Sequence, residues 1–287
     1  MSSGKVTVRG QRRKKNHTKA RLILFGALVL LLILAAIFAE TLCPYDPNQQ
    51  DLSAALQPPG AGHLFGTDRY GRDMLSRVIV GARVSIFSAL ILVAVIAAAG
   101  TLIGMICGYI QGAADSIIMR IADICLAFPG LVFALAIAAV LNGGVGNAVI
   151  ALAVISWPKY ARIARGQTLA VKSSEYIAAA RLAGSTPRKI LFRHILPNII
   201  GPVLVTAMLD IGTMMMEIAA LSFLGLGAKP PTAEWGSMMS EGRSMLQTYP
   251  WTVLTPGIAI FISVVLFNLL GDTIRDYADP GNGSRQG

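Results

Sequence analysis

Residues Ile86–Ile106 read IFSALILVAVIAAAGTLIGMI and contain no charged side chain. A helix of this length covers about 30 Å, the thickness of the hydrocarbon core of a bilayer. Gly100 and Gly104 lie four positions apart and share one helix face, so we expect that face to pack closely against another helix. The stretch predicts a membrane-spanning helix, and with it an all-α integral membrane fold.

The composition of the whole chain agrees with this prediction. Of the 287 residues, 54% are hydrophobic and only 14% are charged, against roughly 25% charged residues in an average soluble domain. Mean hydropathy is +0.61, which argues against an ordinary soluble enzyme. Cys43, Cys107 and Cys125 share no metal-binding or disulfide spacing and are interpreted as packing residues.

Positive charge is concentrated in two segments of the chain. Residues 1–21 carry eight Lys or Arg and no acid, and residues 159–193 carry eight more with Glu175 as the only acid. Lys and Arg accumulate on the cytoplasmic side of membrane proteins, so both segments are predicted to be cytoplasmic. The net charge of +10 therefore reflects membrane topology, and a nucleic-acid partner is not expected.

The remaining apolar runs predict six membrane-spanning helices with both termini in the cytoplasm. The 18-residue run Leu22–Ala39 exceeds the core of a signal peptide, so a retained helix is preferred. The fourth run is short enough for a re-entrant segment, but a crossing helix keeps the second basic segment inside.

The predicted divisions are a basic tail over 1–21, a first span over 22–39, an external loop over 40–83, a transmembrane domain over 84–272 and a cytoplasmic tail over 273–287. Within the domain, spans are predicted over 86–106, 117–141 with a kink at Pro129, 147–157 with an extension to 165, 199–221 and 253–270, with a short inner turn over 108–116, a cytoplasmic loop over 159–198 and an external loop over 226–252.

Turn-forming residues mark the end of the first external loop. In Gly66–Asp73, both Gly66 and Gly71 are available for a positive φ. Asp68 is able to form an Asx-turn or to cap the helix that follows.

Residues 175–197, EYIAAARLAGSTPRKILFRHILP, predict two short surface helices joined by a turn. Gly184 suits the position after the first helix, Ser185 or Thr186 can cap the second, and Pro187 suits its first turn. Pro197 is expected to end the second helix. The residues alone leave two interpretations open: a basic amphipathic segment on anionic lipid headgroups, or a docking element for a cytoplasmic protein.

This stretch resembles the cytoplasmic signature loop of ABC importer permeases, whose pattern is E-A-A, three residues, G, then nine or ten residues to I-L-P. The pattern's Glu is replaced by Ala178, with an acid three positions earlier, as in the peptide and nickel branch of the family. Further matches make most of the chain, about 63–280, similar to the second permease of a dipeptide, oligopeptide or nickel importer. The loop matches at Ala179, Ala180, Gly184, Leu196 and Pro197, and the further matches include Gly66–Asp68, Gly71–Asp73, Gly81–Arg83, Leu221–Gly227, Pro230–Gly236 and Phe267–Asp272.

The resemblance implies an ABC type-1 transmembrane domain whose cytoplasmic helix-turn-helix couples to a separate ATPase. It also implies a bacterial inner-membrane location and four kinds of partner: a second homologous permease, two ATP-binding subunits, an extracytoplasmic substrate-binding protein and membrane lipid. The chain has no G-x-x-x-x-G-K-S/T motif, so ATP would be used by the partner. No catalytic residue, metal site or bound cofactor is expected. The residues implied in ATPase coupling are Glu175, Ala179, Ala180, Arg181, Gly184, Arg188, Arg193, Leu196 and Pro197.

Two acids interrupt the fifth span. Asp210 and Glu217 are seven residues apart on one helix face, with Thr213 and Met214 between them. These four residues are candidates for a translocation path that attracts a cationic substrate. The alternatives are a polar contact with the partner permease, or carboxyl groups hydrogen-bonded inside the bundle.

The substrate class stays open between nickel, free or chelated, and di- or oligopeptides. Consecutive Met214, Met215 and Met216 point around the helix and are interpreted as packing residues. An ion-coupled secondary transporter using Asp210 and Glu217 is the alternative function, and it predicts uptake without ATP. A membrane-embedded enzyme is disfavoured because no nucleophile is paired with a base.

Overall fold

A computed structural model describes residues 3–278, with side chains from Thr18 onward. Most side chains of the predicted basic tail, and residues 279–287 of the predicted C-terminal tail, lie outside the described part. Residues 3–278 are mostly helical and contain no β-strand beyond an isolated bridge between Thr67 and Asp73. The all-α membrane fold is confirmed. The helices are α1 (Ser3–Ile37), α2 (Ala39–Leu42), α3 (Met74–Ile110), α4 (Gly112–Ala127), α5 (Gly130–Val140), α6 (Val145–Lys172), α7 (Glu175–Leu182), α8 (Pro187–Lys189), α9 (Leu196–Leu221), α10 (Trp235–Gly242) and α11 (Trp251–Ala278).

Four helical segments in the described part are long and apolar enough to cross a membrane, and α4 with α5 adds a fifth if the two form one span. Helix α6 has 28 residues and is about 42 Å long, but cations interrupt its C-terminal half. Six crossing helices therefore stay a prediction, with α6 as the sixth. The four segments are Thr18–Ile37, Met74–Ile110, Pro187–Leu226 and Trp251–Tyr277.

The prediction of a loop over 40–83 is wrong at its C-terminal end, because α3 begins at Met74. The side chain of Asp73 caps this helix by accepting a hydrogen bond from Ser76 N at 2.8 Å. The first turns of α3 contain charged residues, so hydropathy did not predict a membrane span there. Charged residues do not prevent helix formation. The predicted inner turn over 108–116 likewise shrinks to Gln111, between α3 and α4.

The predicted third span is broken instead of kinked. Helices α4 and α5 meet at 95°, and the break lies at Phe128 and Pro129. Phe128 has an extended backbone, with φ −99° and ψ 151°. Proline disfavours the helical conformation in the residue before it and cannot donate a backbone hydrogen bond, so the helix ends there.

The glycine face of α3 packs against α6, as predicted. A Cβ added to Gly100 would lie 2.5 Å from the carbonyl oxygen of Trp157, and one on Gly108 would lie 2.9 Å from that of Arg165. Between them, Gly104 faces the backbone of Ala161. The two helices approach so closely because these positions carry no side chain.

Replacing Gly104 by alanine is expected to lower the stability of the bundle. The new methyl group would meet the backbone of Ala161, and overpacking of this kind costs about 1–3 kcal/mol. Gly166→Ala is the matched control, since a Cβ there has no atom within 4 Å. The apparent melting temperature in detergent should fall for Gly104→Ala and hold or rise for Gly166→Ala. Equal melting temperatures would contradict the close contact.

Candidate functional site

The turn between α7 and α8 has the predicted geometry. Gly184 follows α7 with φ +76°, and Ser185 N donates to Ala180 O at 3.0 Å, which closes the helix end. The Thr186 hydroxyl accepts a hydrogen bond from Lys189 N at 3.4 Å, and Pro187 occupies the first turn of α8. The predictions for Gly184, Thr186 and Pro187 are confirmed.

The prediction that Pro197 ends the second helix is wrong. From Pro187 the helix continues to Leu226 as one segment, through a widened turn over Ile190–Ile195. In this turn Leu196 N donates to Leu191 O, five residues earlier. The wider spacing gives room for a proline ring that would otherwise meet the carbonyl group four residues before it.

One face of this segment is anchored to the helix bundle. Ile177 of α7, and Ile190 and Ile195 before α9, are buried against Met105 of α3 and Ala164 of α6. These contacts are apolar and fully buried. The short helices are therefore fixed to the ends of α3 and α6, and a displacement of α7 must act on both.

The opposite face is exposed and defines what we call the 175–197 surface. Sequence analysis did not single out the apolar residues of this surface. Their positions do not follow the helical spacing of the buried residues: Leu182 is 90% exposed, Phe192 53% and Tyr176 45%. Exposed hydrophobic groups beside charged ones are typical of a protein interface. Of the predicted coupling residues, Ala180 and Leu196 are half-buried, and the others are exposed: Glu175, Ala179, Arg181, Gly184, Arg188, Arg193 and Pro197.

Asp210 is paired inside the chain. Its carboxylate accepts hydrogen bonds from Lys159 Nζ at 2.5 Å and from Tyr160 Oη at 2.8 Å. The Asp210 side chain is 6% exposed, whereas that of Lys159 is 50% exposed. We call Lys159, Tyr160 and Asp210 the Lys159 site. Sequence analysis missed Lys159 because the cation was counted with the cytoplasmic loop, although the predicted extension of the fourth span included it.

The other predicted path residues divide between two environments. Thr213 is exposed and Glu217 is half-buried at the surface of α9. Glu217 has no hydrogen bond or ion pair within the described part of the chain. Met214 lies in the core of the bundle at 7% exposure. This corrects the prediction that it lines a path beside the exposed Thr213.

Cations further along α6 are also paired across helices. Arg165 donates to both carboxylate oxygens of Asp115 on α4, at 2.6 and 2.7 Å, and Arg162 pairs with Asp123 on the same helix. These pairs tie α4 to α6 through charged groups on facing positions of the two helices.

A second charged cluster joins the segment before α3 to α10. Arg72 donates to Asp68 at 2.6 Å and to Glu241 at 2.9 Å, while Arg77 lies 3.6 Å from Asp68 and 3.7 Å from Glu241. Both arginines are 1% exposed. We call these four residues the Arg72 cluster. Sequence analysis quoted Asp68 and Arg72 within matched motifs but did not connect them with Arg77 and Glu241.

The turn that presents the Arg72 cluster follows the predicted chemistry. Gly66 and Gly71 both have φ +73°, and Asp68 accepts from Tyr70 N at 2.8 Å in an Asx-turn. The helix cap is provided by Asp73 and not by Asp68. Helix α10, which carries Glu241 of the cluster, is capped by the buried Glu234. The Glu234 carboxylate accepts hydrogen bonds from Gly236 N and Ser237 N at 2.9 Å.

Neutralising Glu241 is expected to destabilise the protein. Glu241→Gln leaves two buried arginines with one carboxylate, and breaking a buried ion pair costs about 3–5 kcal/mol. Glu40→Gln is the control because Glu40 pairs with Arg83 at the surface, with side chains 74% and 41% exposed, where an ion pair contributes about 0–1 kcal/mol. The melting temperature should fall for Glu241→Gln only. A similar fall for both variants would show that the Arg72 cluster contributes no more to stability than an exposed ion pair.

Long apolar helices, ion pairs between helices, and an exposed helix-turn-helix anchored to the bundle define a polytopic membrane protein with a surface open to a partner. Residues 100–283 match the family described as binding-protein-dependent transport system inner membrane component. Residues 19–59 match the N-terminal transmembrane domain of oligopeptide transport permease C. The chain belongs to the family of binding-protein-dependent transport system inner membrane components.

Relatives and a solved structure agree with this assignment. The chain is 45% identical to a probable D,D-dipeptide transport system permease protein of Escherichia coli, over 91% of this chain and 88% of the relative. It is 44% identical to a glutathione transport system permease protein of Pectobacterium atrosepticum, over 89% of this chain and 85% of the relative. An inward-facing structure of the MetNI methionine ABC transporter superposes with a TM-score of 0.58 at 18% identity, covering 72% of this chain and 98% of that chain. The ABC type-1 fold and the resemblance to importer permeases are confirmed.

Proposed function

We propose that the chain is one of two permease subunits of an ATP-driven importer of di- or oligopeptides in the bacterial inner membrane. The observation that carries the proposal is the 175–197 surface, an exposed set of apolar and basic groups whose other face is anchored to α3 and α6. This surface exposes Leu182 at the end of α7, beside the turn at Gly184. Exposed apolar groups next to charged ones are typical of protein interfaces, so a protein partner is preferred over lipid headgroups.

The proposed assembly contains a second homologous permease, two ATP-binding subunits and an extracytoplasmic binding protein. In this proposal both termini of the chain lie in the cytoplasm, which the eight Lys and Arg of residues 1–21 support. Closure of the ATPases on ATP would displace α7 and α8. The buried contacts of Ile177 and Ile190 would carry this displacement to α3 and α6 and switch the path between inward- and outward-facing states. ATP hydrolysis takes place in the partner subunits.

Peptides are preferred over nickel as the substrate. Two of the relatives carry names of dipeptide and glutathione systems, and relatives of this similarity support a related substrate class. In the described residues, no three His, Cys, Asp or Glu side chains are grouped as metal ligands, so the nickel hypothesis gains no residue from the structure.

Uptake into proteoliposomes tests the substrate class. The assembled importer, with its binding protein and ATP, is expected to accumulate a labelled dipeptide and not radioactive nickel. Vesicles without ATP are the control and also test the secondary-transporter alternative. Nickel uptake without peptide uptake would overturn the peptide proposal, and peptide uptake that persists without ATP would favour ion coupling through Asp210 and Glu217.

Leu182→Ser is expected to weaken ATPase binding without destabilising this chain. The side chain is 90% exposed, so its loss removes little packing here, whereas a buried apolar anchor at an interface contributes 2 kcal/mol or more. Affinity purification of the tagged variant from gently solubilised membranes should recover at least tenfold less ATPase. Leu52→Ser is the matched control, since Leu52 is 72% exposed on a segment outside the 175–197 surface. Full ATPase recovery with Leu182→Ser would contradict the docking role.

A further inference from the structure

We infer that the Lys159 site binds the carboxylate end of a peptide in transit, and that Glu217 binds its ammonium end. The inference rests on the proposed function and names the substrate class of that path: short peptides with both termini free. Lys159 enters as a specificity-determining residue, held in position by Asp210 and Tyr160.

The Lys159 site lies at the middle of a spanning helix. Asp210 is eleven residues from each end of the apolar stretch 199–221, which places it about 16 Å from either end. Because a bilayer core is about 30 Å thick, this position is close to the midplane. Lys159 is on the neighbouring helix α6 and reaches the same level through its 2.5 Å contact with Asp210.

The exposed part of Lys159 must face water or a polar ligand. Half of its side chain is exposed, and an ammonium group at this depth is unfavourable against lipid. An ammonium group has three donors. Only the hydrogen bond to Asp210 occupies the group within the described part of the chain, so the remaining donors are available to a carboxylate. The Asp210 side chain is 6% exposed and fixes the position of Lys159 through the hydrogen bond between them.

Glu217 provides the complementary charge further along α9. It lies two turns beyond Asp210 on the same face, a rise of about 10 Å. Its carboxylate is half-buried and unpaired within the described residues, and the exposed Thr213 lies between the two levels. Asp210 and Glu217 stand about 10 Å apart along α9, so a cation held at Asp210 and the anion of Glu217 suit the two ends of an extended tripeptide, which spans about 3.3–3.6 Å per residue.

The arrangement distinguishes a zwitterionic peptide from a simple cation. A divalent ion would find Asp210 already neutralised by Lys159 and would meet the exposed ammonium group first. A free peptide instead presents its carboxylate to Lys159 and its ammonium group to Glu217. Blocking either end removes one of these two contacts and leaves a charge of the path without a partner.

The test uses the assembled complex of this chain with its second permease and ATPases, in lipid nanodiscs without the binding protein. Equilibrium dialysis measures the dissociation constants of radiolabelled trialanine, its C-terminal amide and its N-acetyl derivative. The wild-type complex should bind trialanine about tenfold or more tightly than either blocked peptide, since hydrogen bonds to charged groups give differences of that size.

Two sets of variants assign the two ends. Lys159→Gln combined with Asp210→Asn should abolish discrimination against the amide and keep that against the N-acetyl peptide. The double change avoids leaving a buried carboxylate unpaired. Glu217→Gln should do the reverse, and Lys159→Arg should keep both discriminations because the cation is retained.

Two matched controls should behave as wild type. Lys172→Gln changes another lysine of α6, one that donates to Tyr109 O at 2.7 Å and to Gln111 Oε1 at 3.0 Å. Glu40→Gln changes an acid of the exposed pair with Arg83. Both alter the same side-chain types away from the Lys159 site, so they separate a specific contact from a general change of charge.

The inference is overturned if trialanine does not bind, if the three peptides bind equally, or if the variants keep wild-type discrimination. ATP-driven dipeptide uptake by the wild-type complex is measured in parallel in proteoliposomes, with the binding protein present. Uptake with unaltered discrimination in the variants means that this assignment fails and the proposed importer stands. Absence of ATP-driven uptake means that the proposed function itself fails, and the assignment with it.

Discussion

Three cations in the C-terminal half of helix α6 are each paired with an acid on another helix. Lys159 pairs with Asp210 of α9, and Arg162 and Arg165 pair with acids of α4. These contacts constrain how α4, α6 and α9 pack against one another, because each helix must bring its charged group to the partner on the next.

The same helix supports two separate roles. Near its middle, α6 presents Lys159 toward the proposed path. Toward its C-terminal end, Ala164 contributes to the apolar cluster that anchors α7 and the turn before α9. The glycine face of α3 packs against α6 from Trp157 to Arg165, a stretch that includes both points. A motion of the 175–197 surface would therefore reach the Lys159 site through one rigid element, without a chain of flexible contacts.

A buried group of charged side chains joins the segment before α3 to helix α10. The Arg72 cluster buries two arginines and satisfies them with acids from two separate segments. Such clusters contribute little net stability compared with apolar packing, but removing one member is costly. Here the cluster fixes α10 against the start of α3, so these two segments have one defined arrangement.

Local patterns in the sequence predicted several elements well. The uncharged stretch 86–106 lies in a spanning helix, Gly100 and Gly104 form the packing face, and Gly184 with Pro187 defines the turn after α7. Prolines were predicted less well: Pro197 lies inside a helix because a widened turn accommodates it, and Pro129 lies at a break between two helices that meet at 95°. What a proline does depends on whether neighbouring turns can adjust, and single residues do not reveal that.

The sequence by itself determined the membrane class, the permease family and the location of the exposed helix-turn-helix. These depend on hydropathy, charge distribution and contiguous motifs, all of which are local along the chain. The tertiary structure decided which charges meet: Lys159 and Asp210 are 51 residues apart, and Arg72 and Glu241 are 169 apart. Such pairs form only when helices that are distant in the chain pack together, because each charge must find its partner across the bundle.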